Sequence, residues 1–412
     1  MPDWTNERRP DTAGWHYRGM TEAAFMPLLR DGFSPVPDLA ATRDSTPVTK
    51  LEFPFGITAW LISGYDEVRQ VLGDAVSFSN DYANLTASTG GVAAVDQDPG
   101  GLGFADPPKH TRLRKALTPE FTMRRLQRLV PRIEALVEGL LDDMAAGSQP
   151  ADLWATFAMP LPSLVICELL DVPFPDRDEF SRFSTARFDL FGGAGTGLDA
   201  ISESLVYMSK LVAAQRQSPG DGLLGMLIRE HGDEIDDREL AGLADGLLVG
   251  GHETTASMLA LGALLLMQSP EHVELVKDPD GPINQVVEEL LRYLTVVQVA
   301  FPRFARHDLE VGGIAIKQGE MILCSLTAPN RDPKLGNDME LFDPRRPVTS
   351  HFAFGHGVHR CVGAELARME LRIAYPRLFR RFPDLRTDVP LEQIAFRQYS
   401  LVHGVDSLPV RW

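Results

Sequence analysis

Phe354-Gly355-His356-Gly357-Val358-His359-Arg360-Cys361-Val362-Gly363 sets a cysteine in a glycine-punctuated loop that feeds straight into a helix. Glycines let backbone approach a flat group closely, and the first free amides of a helix can point at a thiolate sulfur and stabilise its charge. A cysteine so placed suits metal ligation. No Cys-x-x-Cys partner and no His-Glu-x-x-His helix accompanies it, so zinc and iron–sulfur readings lack ligands. A single thiolate is enough for a metal only where a cofactor supplies the other ligands, as haem does. The two other cysteines, Cys167 and Cys324, read as small buried hydrophobes. Three cysteines cannot frame a disulfide scaffold and fit a reducing, cytoplasmic setting.

Outward from this loop the chain is mostly helical. Asp236-Asp237 opens a helix that runs to Gln268 before Ser269-Pro270, roughly 48 Å at 1.5 Å per residue. It carries Gly250-Gly251-His252-Glu253-Thr254-Thr255 at its middle. Two glycines cost a helix roughly 1 kcal/mol each relative to alanine, so their presence predicts a local opening of the hydrogen-bond ladder. Apolar spacing places further helices at 109–118, 123–145, 151–169, 176–189, 199–216, 271–277, 282–293 and about 363–382. A hairpin is expected over 47–63, a helix over 65–72, short strands near 308–316 and 320–326, and a second hairpin from Tyr399 to Pro409. Residues 77–108, rich in Gly, Ser, Asp and Pro, form a loop long enough to be a substrate-access element. Glu289 and Arg292 share a helix face.

The 412 residues carry 40 Lys+Arg against 57 Asp+Glu, a net charge of −17, with 44% hydrophobic and 24% charged residues. Such a chain buries a large core and repels nucleic acid over most of its surface. The first residues are polar, without the apolar run of a signal peptide or membrane anchor. Leu240 to Met267 is apolar but holds Asp245, His252 and Glu253, charges too expensive for lipid. Length alone suggests two or three domains. No repeat, Gly/Ser linker or low-complexity tract marks a boundary.

Phe354, Gly357, His359, Cys361 and Gly363 complete the pattern Phe-x-x-Gly-x-His/Arg-x-Cys-x-Gly, and on these residues the chain resembles the cytochrome P450 family. The resemblance spans roughly residues 20–412, with one small departure at Pro329, where alanine is more usual. It implies a mainly α fold with small β-sheets, in which the Glu289–Arg292 pair is buried and structural with Arg345 or Arg346 as third partner. The whole of 1–412 is then a single α-rich domain enclosing haem b, with about 1–20 as an N-terminal extension. Cys361 becomes the axial thiolate. His110, Arg114, Arg303 and His359 become partners of the haem propionates, which need cations or hydrogen bonds once buried. Thr254 becomes the dioxygen-contacting residue and Glu253 the proton-relay acid. Taken alone, Glu-Thr-Thr is an ordinary polar helix face; inside an apolar helix it is harder to dismiss.

The implied reaction is monooxygenation with O2 as cosubstrate, one atom entering a hydrophobic small molecule by hydroxylation or epoxidation. Oxidative coupling of an aromatic substrate and a non-catalytic haem-thiolate sensor are the alternatives. Electrons must come from a separate ferredoxin and ferredoxin reductase, because the chain has no Rossmann fingerprint and no cluster-binding cysteines. His110, Arg112, Arg114, Lys115, Arg124, Arg125 and Arg128 meet only Glu120 as counter-charge and, with Arg360 and Arg368, form either a docking face or a solvated helix surface. Substrate contacts are expected from 77–108, 173–200, Ala244, Leu248 and His252, Val296 to Ala300, and Leu401-Val402.

Overall fold

The computed structural model describes residues 22–53, 56–81, 83–84, 101–173 and 194–412. The expected helix at 176–189 and most of the expected access loop lie outside them. The fold is a helical body with a five-stranded sheet at one side. Strands Val48–Glu52 and Thr58–Ile62 form the predicted hairpin. Met321–Cys324 adds in parallel to Thr58–Ile62, and Arg303–Ala305 and Phe78–Ser79 complete the sheet. Tyr65–Gly73 follows as a helix.

The long helix runs Asp237–Leu266 without a break. Its start is a capping box: Glu239 N–H donates to Asp236 at 2.8 Å, and the Glu239 carboxylate accepts from Asp236 N–H at 3.3 Å. It packs against Ala194–Gln217, Pro160–Leu170 and the C-terminal helix Ala364–Arg381. Gly251 is needed for one of these contacts, since a Cβ there would come within 2.7 Å of the Ile166 Cδ1. Tyr375 donates from its hydroxyl to the Met258 carbonyl at 2.5 Å and sits where a side chain on Gly262 would have to be. Gly251 and Gly262 are therefore packing requirements, Gly250 faces open space, and the helix continues through them without the expected ladder opening.

Prolines reset two of the expected helices. The 123–145 helix is three pieces, Met123–Leu126, a 3-10 turn Gln127–Leu129, and Val130–Ala146. Pro131 has no N–H to continue the preceding ladder and opens the new helix instead. Over 151–169, Ala151–Asp152 is a strand, Trp154–Ala158 a π turn, and only Pro160–Leu170 is α-helix, with Pro160 at its start. The tail is not the expected hairpin. Phe396 and Val405 form one antiparallel bridge, but the intervening backbone bonds to Val296 and Gln298. Pro409–Arg411 is the central strand between Ala151–Asp152 and Arg386–Thr387.

Glu289 and Arg292 lie on the helix Ile283–Leu294 and are almost wholly buried. Two guanidinium nitrogens of Arg292 donate to the two Glu289 oxygens, each at 2.7 Å. The third partner is Arg346, at 3.2 Å, and not Arg345. Arg292 also donates to the carbonyls of Asn330, Met339 and Leu341, which ties the coil after the sheet to this helix. Among the described residues no helix is long and apolar enough to cross a membrane.

Candidate active site

The cysteine loop is shaped by backbone bonds: Gly355 N–H donates to Phe352 O at 2.8 Å and Cys361 N–H to Phe354 O at 2.9 Å. Gly357 has φ +70°, and a Cβ on it would collide with the Leu72 carbonyl at the end of the helix Tyr65–Gly73. Glycine is required there for both reasons. Phe354 lies beneath Arg368, 4.6 Å from its guanidinium carbon. Cys361 is exposed, whereas Cys167 and Cys324 are buried as expected, and burial pushes the Cys324 thiol up to about 12. Although its surface is reachable, the protein crowded about Cys361 raises its thiol pKa by desolvation. The Gly363 N–H hydrogen bond and the charges of Arg114, Arg360 and Arg368 oppose that rise. The amide at the helix start thus serves the sulfur as the sequence led one to expect.

Beside it the basic groups converge from three separate segments. The His110 and His359 rings are 4.2 Å apart. Both nitrogens of buried His110 and Nε2 of His359 have no protein partner. The other His359 nitrogen donates to the Leu102 carbonyl, yet burial and the charges of Arg303, His110 and Arg114 bring the imidazole down to about 3. Arg303 is buried and donates to the Phe301 carbonyl at 3.1 Å. Desolvation lowers both the Arg303 and the Arg114 pKa. Mutually repelling donors with orphaned buried nitrogens suit an anionic group of more than one charge, so these residues fit the two propionates of haem. Among the described residues no cluster of three His, Cys, Asp or Glu stands ready for a metal. Cys361 alone offers a suitably placed thiolate.

On the long helix the expected period is right and the face is wrong. Ala244, Leu248 and His252 are fully buried, and His252 Nε2 is 3.1 Å from the Met159 carbonyl. The stripe left uncovered is Gly246, Gly250 and Thr254, flanked by Leu247 and Val249. It lies two residues, about 200°, around the helix from the expected one. Thr254 donates to the Gly250 carbonyl at 2.7 Å, where a side chain on residue 250 would meet open space. Glu253 points elsewhere. It is buried, ion-paired through Oε1 to Arg397, and its Oε2 has no partner. Burial raises the Glu253 pKa against the pull of Arg397. An arginine in the C-terminal tail has no local pattern to mark it, and Arg397 was not legible in the sequence. Phe301, one residue beyond the expected 296–300, is exposed and packs edge-on to Phe104 at 4.9 Å.

The basic stretch is smaller than its sequence suggests. His110 and Arg368 are buried. Arg368 is held by Glu288 and Glu365. Burial pushes the Glu288 carboxyl up, but the bonds from His351 and Arg368 outweigh it and bring it down to about 2. Arg112 is spent on Glu239, and both Arg125 and Arg128 on the buried Glu120. Lys109, Lys115, Arg124 and Arg360 remain exposed without an acidic partner among the described residues, near the exposed Met123 and Val358.

The chain as a whole resembles known proteins. The family model described as Cytochrome P450 matches 283–396. The chain is 42% identical over 353 residues to Cytochrome P450 165C4 of Amycolatopsis orientalis, covering 86% of each chain. It is 38% identical to Mycinamicin IV hydroxylase/epoxidase of Micromonospora griseorubida, covering 90% of this chain and 94% of that one. Among solved structures it resembles OxyC, a cytochrome P450 implicated in an oxidative C–C coupling reaction during vancomycin biosynthesis. There the TM-score is 0.84 and the identity 39%, over 93% of this chain and 96% of that one.

Proposed function

This chain belongs to the cytochrome P450 family, and on that premise we propose that Cys361 would hold the haem iron through its thiolate, with His110, Arg114, Arg303 and His359 holding the propionates. It is a haem-thiolate monooxygenase with haem b as cofactor and O2 as cosubstrate. When bound, haem supplies the redox-active iron, and the thiolate's electron density favours O–O cleavage. The chain does the rest. The loop from Phe354 to Gly363 fixes the sulfur, and the Gly363 amide steadies its charge. The uncovered stripe of Gly246, Gly250 and Thr254 leaves room beside the cofactor for substrate. Leu247 and Val249 make that room apolar, which supports a hydrophobic substrate of polyketide, terpenoid or steroid character. Thr254 supplies a hydroxyl to that side of the helix, and Glu253, held away from it by Arg397, supplies a proton on leaving that ion pair.

The observation that carries this reading is the convergence of four basic side chains from three segments beside one thiol. Hydroxylation or epoxidation is favoured by the Glu253-Thr254 pair and by the similarity to a hydroxylase/epoxidase. Phenolic or C–C coupling is the second reading, favoured by the similarity to OxyC. Thr254→Ala discriminates between them. Oxygen insertion should lose on the order of tenfold or more in product per electron consumed, measured as product against reductant. Full retention would favour coupling.

The family takes a small-molecule substrate and electrons from a redox partner. We assign the finer role to a ferredoxin with its reductase, meeting Lys109, Lys115, Arg124 and Arg360 around Met123 and Val358. Electrostatic steering accelerates such encounters by ~10–10³-fold. Lys115→Glu combined with Arg124→Glu should therefore reduce ferredoxin-supported turnover about tenfold or more at low salt and leave peroxide-driven turnover within about twofold. Equal losses in the two assays would discard the docking assignment.

A further inference from the structure

The loop from Phe396 to Asp406 closes on the long helix at the turn that carries Glu253. Gly404 allows the approach: a Cβ there would come within 2.7 Å of the Ser257 Oγ, one turn beyond Glu253. Inside the loop Arg397 N–H donates to the Gly404 carbonyl at 2.9 Å. The Arg397 guanidinium lies 4.6 Å from the Trp154 ring centre, pairs with Glu253 through Nη1, and donates from Nε to Asp406 at 3.0 Å. Glu253 is only 1% exposed at its side chain and Asp406 is 62% exposed. One guanidinium thus joins a buried carboxylate to a solvated one.

We propose that Arg397 is the positioning residue for Glu253: it turns the carboxylate toward the C-terminal loop, favours its ionised form, and links it through Asp406 to solvent. The proposal rests on the proton-supply role given to Glu253. In one cycle Glu253 releases a proton toward the Thr254 side and regains one from solvent on the Asp406 side. Arg397 stays protonated throughout, so it orients the two carboxylates and carries no proton itself. The charged groups facing Glu253 are Arg397 and Asp406. The neighbouring His252 is turned to the Met159 carbonyl, and His403, near Arg397, is buried.

The signs are opposite for the two partners, which separates this role from simple bracing. Removing the positive charge in Arg397→Gln should raise the Glu253 titration midpoint by about one pH unit or more. Removing the negative charge in Asp406→Asn should lower it. Arg397→Lys should restore most of the wild-type value. The midpoint is read in the holoenzyme from the infrared carboxyl band that Glu253→Gln removes. Alongside it, Arg397→Gln should lower product per electron on the order of tenfold, with spectral substrate affinity within about twofold. An unmoved midpoint, or lost thermal stability with coupling intact, would overturn the proposal. If Glu253→Gln keeps full coupling, the proton-supply role itself fails and the proposal goes with it. If Glu253→Gln uncouples but Arg397→Gln does not, only the positioning role fails.

Discussion

Cys361→Ser will remove the carbon monoxide absorption band characteristic of thiolate-ligated haem and abolish monooxygenation, a loss of at least ~10³-fold or about 4 kcal/mol of barrier. A serine oxygen is a harder and far less acidic ligand than a thiolate, so the iron loses the electron density that favours O–O cleavage. The protein itself should still fold. Cys361 is exposed, and the loop is held by backbone bonds from Gly355 to Phe352 and from Cys361 to Phe354 that the substitution leaves intact. Unfolding of the haem-free variant should lie within about 1 kcal/mol of the haem-free parent. Cys167→Ala and Cys324→Ala should keep the band, since both thiols are buried away from the loop. A Cys361→Ser protein that retains the band would refute the ligand assignment.

Arg292→Ala should destabilise the protein by about 3–5 kcal/mol, the cost of leaving one partner of a buried ion pair alone. The loss extends beyond Glu289. The same guanidinium satisfies the carbonyls of Asn330 and Met339, which would be orphaned, and of Leu341, which would keep only a 3.4 Å bond from Arg346. Arg292→Lys should recover little, because a point charge cannot span the two Glu289 oxygens and three carbonyls at once. Urea unfolding of the haem-loaded protein, with the yield of haem-loaded material, measures the effect. A change under about 1 kcal/mol would mean that the network is incidental to the fold. Arg345, the sequence neighbour of Arg346, donates no side-chain bond to Glu289, and Arg345→Ala should fall within about 0.5 kcal/mol of the parent.

The difference between Arg345 and Arg346 shows where reading the chain stops. Adjacent residues in a coil have no period to separate them, and only the path of the backbone decides which one reaches Glu289. The long helix gives a sharper case. Its apolar and small residues repeat every fourth position in two sets, Ala244-Leu248-His252 and Gly246-Gly250-Thr254, which spacing alone cannot rank. Packing ranks them, because the helix Pro160–Leu170 and the Met159 carbonyl cover the first set. Likewise, seven basic residues within 110–128 look like one field in sequence. In space three of them face acids, Arg112 the distant Glu239 and both Arg125 and Arg128 the stretch's own buried Glu120.

By itself the sequence determined the covalent essentials: the cysteine in its glycine loop, the long capped helix and the Glu-x-x-Arg pair. These are local, written within ten residues or one helical turn, so chemistry and steric limits suffice to read them. Tertiary structure alone decided which helix face stays open, which bases keep their charge free, and that an arginine 144 positions from Glu253 holds it. Each of those depends on contacts between distant segments. Their partners are chosen by packing and burial, which no local pattern encodes.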